Sequence, residues 1–218
     1  MARRDNGQTL DESPAVVEWA NQRLTFSTVP FGPASYREVM QEIRKSGKTA
    51  PTLAQSIAML YSAWNNRDKK YSRDLLTLDK TPSLWTDTVL FYSPQEIYAI
   101  DHLPINDDTL SPDDSSIYSF LSGQNARSLQ RSNSLTEKDI LTLAAGKEGA
   151  ALVDKLTEKY PSGNLLVFQL SKNSSGERPI SLSSVGNTAR PNSLLTIDGA
   201  SWAGSKRYCY PVVAQDKH

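Results

Sequence analysis

Two helix-start signals in close succession constrain this chain more than any other feature of its sequence. Ser35 and Glu38 have the S-x-x-E spacing of a capping box, in which hydroxyl and carboxylate satisfy each other's orphan backbone donors. Pro30 and Pro33 break the chain just ahead of it. Tyr36, Val39, Met40 and Ile43 follow at i, i+3, i+4 and i+7, which places them on one helical face. Lys45 suits the negative end of the helix dipole, and Gly47 supplies a left-handed stop. Thr52 and Gln55 then repeat the box, and Leu53, Ile57, Leu60, Tyr61 and Trp64 repeat the stripe. Ala54, Ala58, Met59 and Ala63 widen the second stripe until little of that helix is polar. The expectation is a helical hairpin over residues 35–64 whose helices pack on each other, since neither can bury its stripe alone.

Elsewhere the periods alternate. Ser13-Pro14 reads as an N-cap with proline at the first helical position, predicting a short helix through Trp19 to about Leu24. A further helical segment is expected around Ser72 to Leu78. Leu84 to Tyr92 and Ile97 to Leu103 are rich in β-branched and aromatic residues, and Ser93-Pro94-Gln95 between them predicts a β-hairpin. Ser122 to Ser134 is polar and reads as an exposed loop. Ser134 with Glu137 opens a helix that Gly146 closes, and Glu148 to Tyr160 forms another. Leu165 to Leu170, Arg178 to Ser183, Ser193 to Asp198 and Arg207 to Val213 predict strands of a small antiparallel sheet. This order is α+β: a mainly helical N-terminal region over 1–80, with the hairpin as a subdomain, and a sheet-bearing α+β region over 81–218.

Charge and cysteine content remove several function classes. Twenty-four basic residues balance 24 acidic ones, so no chain-wide field attracts nucleic acid or anionic lipid. One cysteine, Cys209, permits neither an intrachain disulfide nor a cysteine-based metal cluster. Glycine-rich phosphate loops of the G-x-G-x-x-G and G-x-x-x-x-G-K-[ST] types do not occur, and no cofactor or metal is expected. Apolar runs such as Leu165-Leu-Val-Phe168 are strand-sized, so no membrane partner is expected. Met1-Ala-Arg-Arg-Asp-Asn-Gly7 leads into no apolar segment and does not read as a signal peptide, which makes the cytoplasm the expected location.

Three groups of residues carry candidate chemistry. Gly47, Pro51-Thr52 and the apolar helix after them resemble the spacing of winged-helix repressor domains, which implies DNA binding aided by the flank Arg67, Lys69, Lys70 and Arg73. Between Ser35 and Lys80 nine bases against five acids give +4. Yet Leu53 to Trp64 contains no Arg or Lys and offers Gln55 and Ser56 to base edges, which favours a core helix. Cys209 and His102, oriented by Asp101, have the residue types of a cysteine hydrolase. However, Asp101 and His102 are neighbours that a strand sends to opposite faces, and Cys209 between Tyr208 and Tyr210 reads as a small packing residue. Trp202, Tyr208 and Tyr210 form the third group, an aromatic set on the C-terminal sheet able to contact a ligand. Two polar stretches carry less. Asp107, Asp108, Asp113 and Asp114 lack the ligand spacing of an EF-hand loop and read as a solvated turn. Arg127 and Arg131 lie in a stretch without aromatics to stack on bases. The leading expectation is a non-catalytic binding protein for a protein or small-molecule ligand. The alternatives are a nucleic-acid-binding protein and a cysteine-dependent hydrolase.

Overall fold

The computed structural model describes residues 14–76, 84–103, 126–132, 134–159, 165–168, 176–185, 194–199 and 204–217. Helices and mixed sheets share the chain, which is the α+β class its periodicities predict.

The first segment corrects the sequence reading. Residues expected as a helix form strands β1 (Ala15–Trp19) and β2 (Gln22–Phe26), paired antiparallel. Ala15 and Val17 are buried while Val16 and Glu18 face out, a period of two that outweighs the Ser-Pro start signal. Ala20 and Asn21 join the strands with φ of 50° and 60°, the two consecutive left-handed residues of a tight hairpin turn. β3 (Phe31–Ala34) follows.

Helices α1 (Tyr36–Lys45) and α2 (Leu53–Asn65) form with both expected capping boxes. Ser35 N and Oγ donate to Glu38 Oε2 at 2.9 and 2.7 Å, and Thr52 N donates to Gln55 Oε1 at 2.9 Å. Their stripes do not meet, however. Tyr36, Val39, Met40 and Ile43 of α1 enter one core with Trp85, Val89, Ile100, Leu103 and Cys209. Leu53, Ile57, Leu60 and Trp64 of α2 enter another with Leu90, Tyr92, Ile140 and Val153.

A single strand separates these cores. β4 (Leu84–Tyr92) alternates, sending Trp85 and Val89 toward α1 and Leu84, Leu90 and Tyr92 toward α2. β4 pairs antiparallel with β5 (Glu96–Asp101), as the hairpin signal predicts, and β5 pairs with β6 (Ala126–Gln130). That third strand lies inside the stretch expected to be an exposed loop. Its register against Ile97–Ile100 and the partly buried Leu129 give Ser-rich sequence a place in the sheet.

The rest of the sheet comes from distant parts of the chain. Its order is β3-β10-β4-β8-β9-β7, with β7 (Leu165–Phe168), β8 (Gly176–Val185), β9 (Leu194–Asp198) and β10 (Arg207–Cys209). The expected final strand is two, because β11 (Val212–Lys217) leaves to pair with β2 in a separate three-stranded sheet. β7 with β9 and β10 with β4 run parallel, so the sheet is mixed.

One side of β4 explains why the hairpin opens. β10 pairs there at Leu84 and β5 from Thr88 onward. Between them Asp87 N donates to Pro51 O at 2.7 Å, while Thr49 exchanges backbone bonds of 2.8 and 3.2 Å with Val212. The connection after α1 is therefore stitched into the sheet. It carries the chain from Ala50, in the α1 core, to Leu53, in the α2 core.

α3 (Lys70–Leu76) packs on α2, and so does α4 (Glu137–Thr157). The cap of α4 is Thr136 with Asp139, two residues later than Ser134 with Glu137. Gly146, at φ 70° and ψ 172°, breaks α4 where the sequence places a stop, and a second helical stretch continues beyond it. The α2 side of the core draws on residues from Ala15 to Val212. Among the described residues no helix is long and apolar enough to cross a membrane.

Candidate functional site

Three consecutive residues in the middle of β4, Thr86, Asp87 and Thr88, are buried and polar. Burying polar side chains is costly unless they are satisfied, so their partners mark where the fold has accepted a constraint. Strand alternation sends Asp87 to the α1 face and Thr88 to the α2 face.

On the α1 face Asp87 meets His102. Asp87 Oδ2 lies 2.8 Å from His102 Nδ1, and His102 N donates to Asp87 O at 2.9 Å. The pair sits where β5 ends. His102 has left the strand with φ of 57°, a left-handed conformation that histidine enters more readily than branched residues. Tyr36 Oη, inside the α1 core, donates a long bond of 3.5 Å to Asp87 Oδ1. The Asp87 side chain is 8% exposed and that of His102 50%, so a buried carboxylate backs a ring that reaches the surface. Nδ1 is occupied by Asp87, which leaves Nε2 as the ring's outward nitrogen; among the described residues nothing bonds it.

The electrostatics follow from this placement. Burial pushes the Asp87 carboxyl above its ordinary range, even though the hydrogen bond and charge of His102 pull it down. The bond to Asp87 raises His102, outweighing the opposing effect of partial burial. Burial, reinforced by the Asp87 charge, also raises the Tyr36 phenol and the Cys209 thiol, which keeps both neutral.

Asp87 and His102 form one wall of a pocket of about 350 Å³. Met40 and Ala50 supply apolar lining, and Arg44, Lys48 and Thr49 complete it. Arg44 Nη2 donates to Leu103 O at 2.9 Å, which fixes the guanidinium beside the end of β5. Lys48 Nζ lies 5.2 Å from the centroid of the Phe31 ring. Among the described residues neither cation forms an ion pair, and Asp87 is committed to His102. Two cations and one carboxylate give the pocket a formal +1 with His102 neutral and +2 with it protonated.

The opposite face of the same strand ends carries a second polar group. Leu53 N, an orphan donor at the start of α2, donates to Thr88 Oγ1 at 2.9 Å, and Thr88 Oγ1 donates to Asp101 Oδ1 at 2.6 Å. Arg127 Nη1 donates to Asp101 Oδ2 at 2.7 Å. Its Nε and Nη2 donate to Leu143 O at 2.7 Å and Ala144 O at 3.0 Å, in the turn just before the break at Gly146. This chain ties two helix ends to the sheet directly behind His102.

The sequence candidates are scattered over the fold. Asp101 belongs to the group just described, so the carboxylate beside His102 is Asp87; the two neighbours face opposite ways, as strand geometry requires. Cys209 is fully buried in the α1 core, and its thiol is held neutral. Tyr208 and Tyr210 pack against the α2 side of the core, away from the pocket, and Trp202 lies outside the described residues. The basic flank is a turn and the start of α3. There Arg67 stacks on Trp64 with 3.7 Å from its guanidinium carbon to the ring centroid, and Arg73 Nη2 donates to Asp68 O at 3.3 Å. Lys69 and Lys70 are half-buried beside them. The acidic positions Asp107, Asp108, Asp113 and Asp114 also lie outside the described residues. Among the described residues no cluster of three or more His, Cys, Asp or Glu side chains could hold a metal ion.

Arg44, Lys48 and Asp87 were not singled out by sequence. One signal was available: Asp87 is the one charged residue in a strand of nine. Nothing local could pair it with a histidine fifteen positions later. Comparison of the chain with family models, with curated proteins and with solved structures found no match.

Proposed function

We propose that this is a binding protein for a small anionic ligand, held in the pocket between α1, the Lys48–Ala50 segment and the ends of β4 and β5. The observation that carries this reading is the pair of cations, Arg44 and Lys48, lining one pocket without a carboxylate of their own. Surface arginines and lysines normally point into water, and their cost-free arrangement is dispersed. Here a bond to Leu103 O and the Phe31 ring hold both at the same opening, which pre-arranges charge for an incoming anion. A pocket of about 350 Å³ suits a small metabolite rather than a polymer. The lone, buried thiol of Cys209 is consistent with a cytoplasmic setting, where we place the protein.

Isothermal titration with a panel of small phosphates, sulfates and carboxylates tests the reading. A charge-assisted contact contributes about 1.5 kcal/mol, so Arg44→Gln and Lys48→Gln should each weaken binding about tenfold. Thermal melts of both variants should stay near wild type, because both side chains lie at the rim. Wild-type protein that binds no member of the panel at low salt rules the reading out.

A further inference from the structure

The Asp87–His102 pair gives the pocket a third donor that the two cations do not explain. Arg44 arrives from the last turn of α1, Lys48 from the segment after it, and His102 from the end of β5. Thr49 is also part of the lining. A carboxylate's acceptor lone pairs lie in one plane, whereas the oxygens of a tetrahedral oxyanion point out of any plane, which suits donors supplied by three separate segments. Histidine is also the one donor in the set whose proton is optional near neutral pH.

We infer that the pocket takes the tetrahedral oxyanion of a phosphate or sulfate group and that His102 Nε2 donates to it as an imidazolium, so the anion is bound together with a proton. This rests on the anion-binding reading and adds both the ligand class and its regulation. The geometry supports it independently of any titration midpoint: a buried carboxylate holds Nδ1 and fixes the ring of a histidine that lines the pocket, and Nε2 is the nitrogen left to act there. The charged and titratable groups on the ring's own side are Asp87 from β4 and Arg44 from α1, Asp101 of β5 acts on it from the opposite face, and Tyr36 and Cys209 stand behind Asp87. The two carboxylates favour the imidazolium and Arg44 opposes it. An anion seated on Arg44 offsets that opposition, and this is the physical source of the coupling.

Binding should be measured between about pH 5.5 and 9 with sulfate, whose charge does not change over that range, so any pH dependence belongs to the protein. The dissociation constant should be flat in acid and then rise by up to about tenfold per pH unit once His102 loses its proton. Titrations near neutral pH in two buffers of different ionisation heat should report net proton uptake. The decisive variant is His102→Asn. Asparagine tolerates a left-handed backbone, and its amide can keep the bond to Asp87 while removing Nε2. It should bind sulfate about tenfold more weakly at pH 6 and with no pH dependence. Phosphate and sulfate should compete for the same site, and acetate should compete far less.

The outcomes separate the two readings. Sulfate binding that His102→Asn leaves equally strong and equally pH-dependent overturns the proton-coupled inference while leaving anion binding intact. Tight binding of carboxylates without tetrahedral anions overturns the ligand class alone. No anion binding at any pH overturns both.

Discussion

Arg127→Met tests whether the polar chain behind the pocket is what fixes the strand ends. Methionine keeps most of the aliphatic stem and removes every donor. Three bonds are lost: one to Asp101 and one each to the carbonyls of Leu143 and Ala144. Fully buried, bonds from a charged donor are worth about 1.5–3 kcal/mol each. The Arg127 side chain is 37% exposed and that of Asp101 20%, so the ion pair is partly screened and contributes about 1 kcal/mol. The two carbonyl bonds, at a helix break where water can replace only part of what is lost, contribute about 1 kcal/mol each. A total near 3 kcal/mol lowers the melting temperature of a chain this size by about 6–12 °C. Differential scanning calorimetry of Arg127→Met, Asp101→Asn and the double variant checks both the sum and the coupling. The double variant should be more stable than additivity predicts by about 1 kcal/mol, because the second change removes a partner already lost. A melting temperature within about 2 °C of wild type, or strictly additive effects, would show that the chain of bonds carries no load.

Two further perturbations address other parts of the structure. Gly32 has φ of 99°, and a Cβ there would sit 2.5 Å from Arg207 O and 3.1 Å from Ala34 N, so Gly32→Ala must push β3 away from β10. The expected cost is about 2–4 kcal/mol, read as a fall in the urea midpoint; an unchanged midpoint contradicts the strand pairing. His102→Ala should destabilise more in mild acid than in alkali. Asp87 raises His102 in the folded chain above its ordinary 6.5, so the pair stabilises fully below that value and the benefit fades as pH rises through the folded midpoint. Equal destabilisation at about pH 5.5 and pH 9 would contradict an imidazolium held by Asp87.

Much of the local structure was written in short-range chemistry. The capping boxes at Ser35 and Thr52, the left-handed stop at Gly47, the β4–β5 hairpin and the break at Gly146 all depend on residues within a few positions of one another. The misreadings share one cause. Residues 15–26 and 126–130 become strands because β11 and β5 are there to pair with them, and those partners come from elsewhere in the chain.

The helix pair at 36–65 shows the same division most clearly. Its sequence determined two capped helices and two apolar faces, since those follow from backbone donors and a period of 3.6 residues. It did not determine that the faces would meet. Tertiary structure decided that, by pairing the connection at Thr49 and Pro51 with Val212 and Asp87 and so sending each stripe to a different side of β4. The candidate site is a product of that crossing. Arg44 and Lys48 come to lie opposite Asp87 and His102 only because the chain passes through the sheet between them. Hydrophobic burial is satisfied equally well by many partners, and a long-range backbone pairing selects among them.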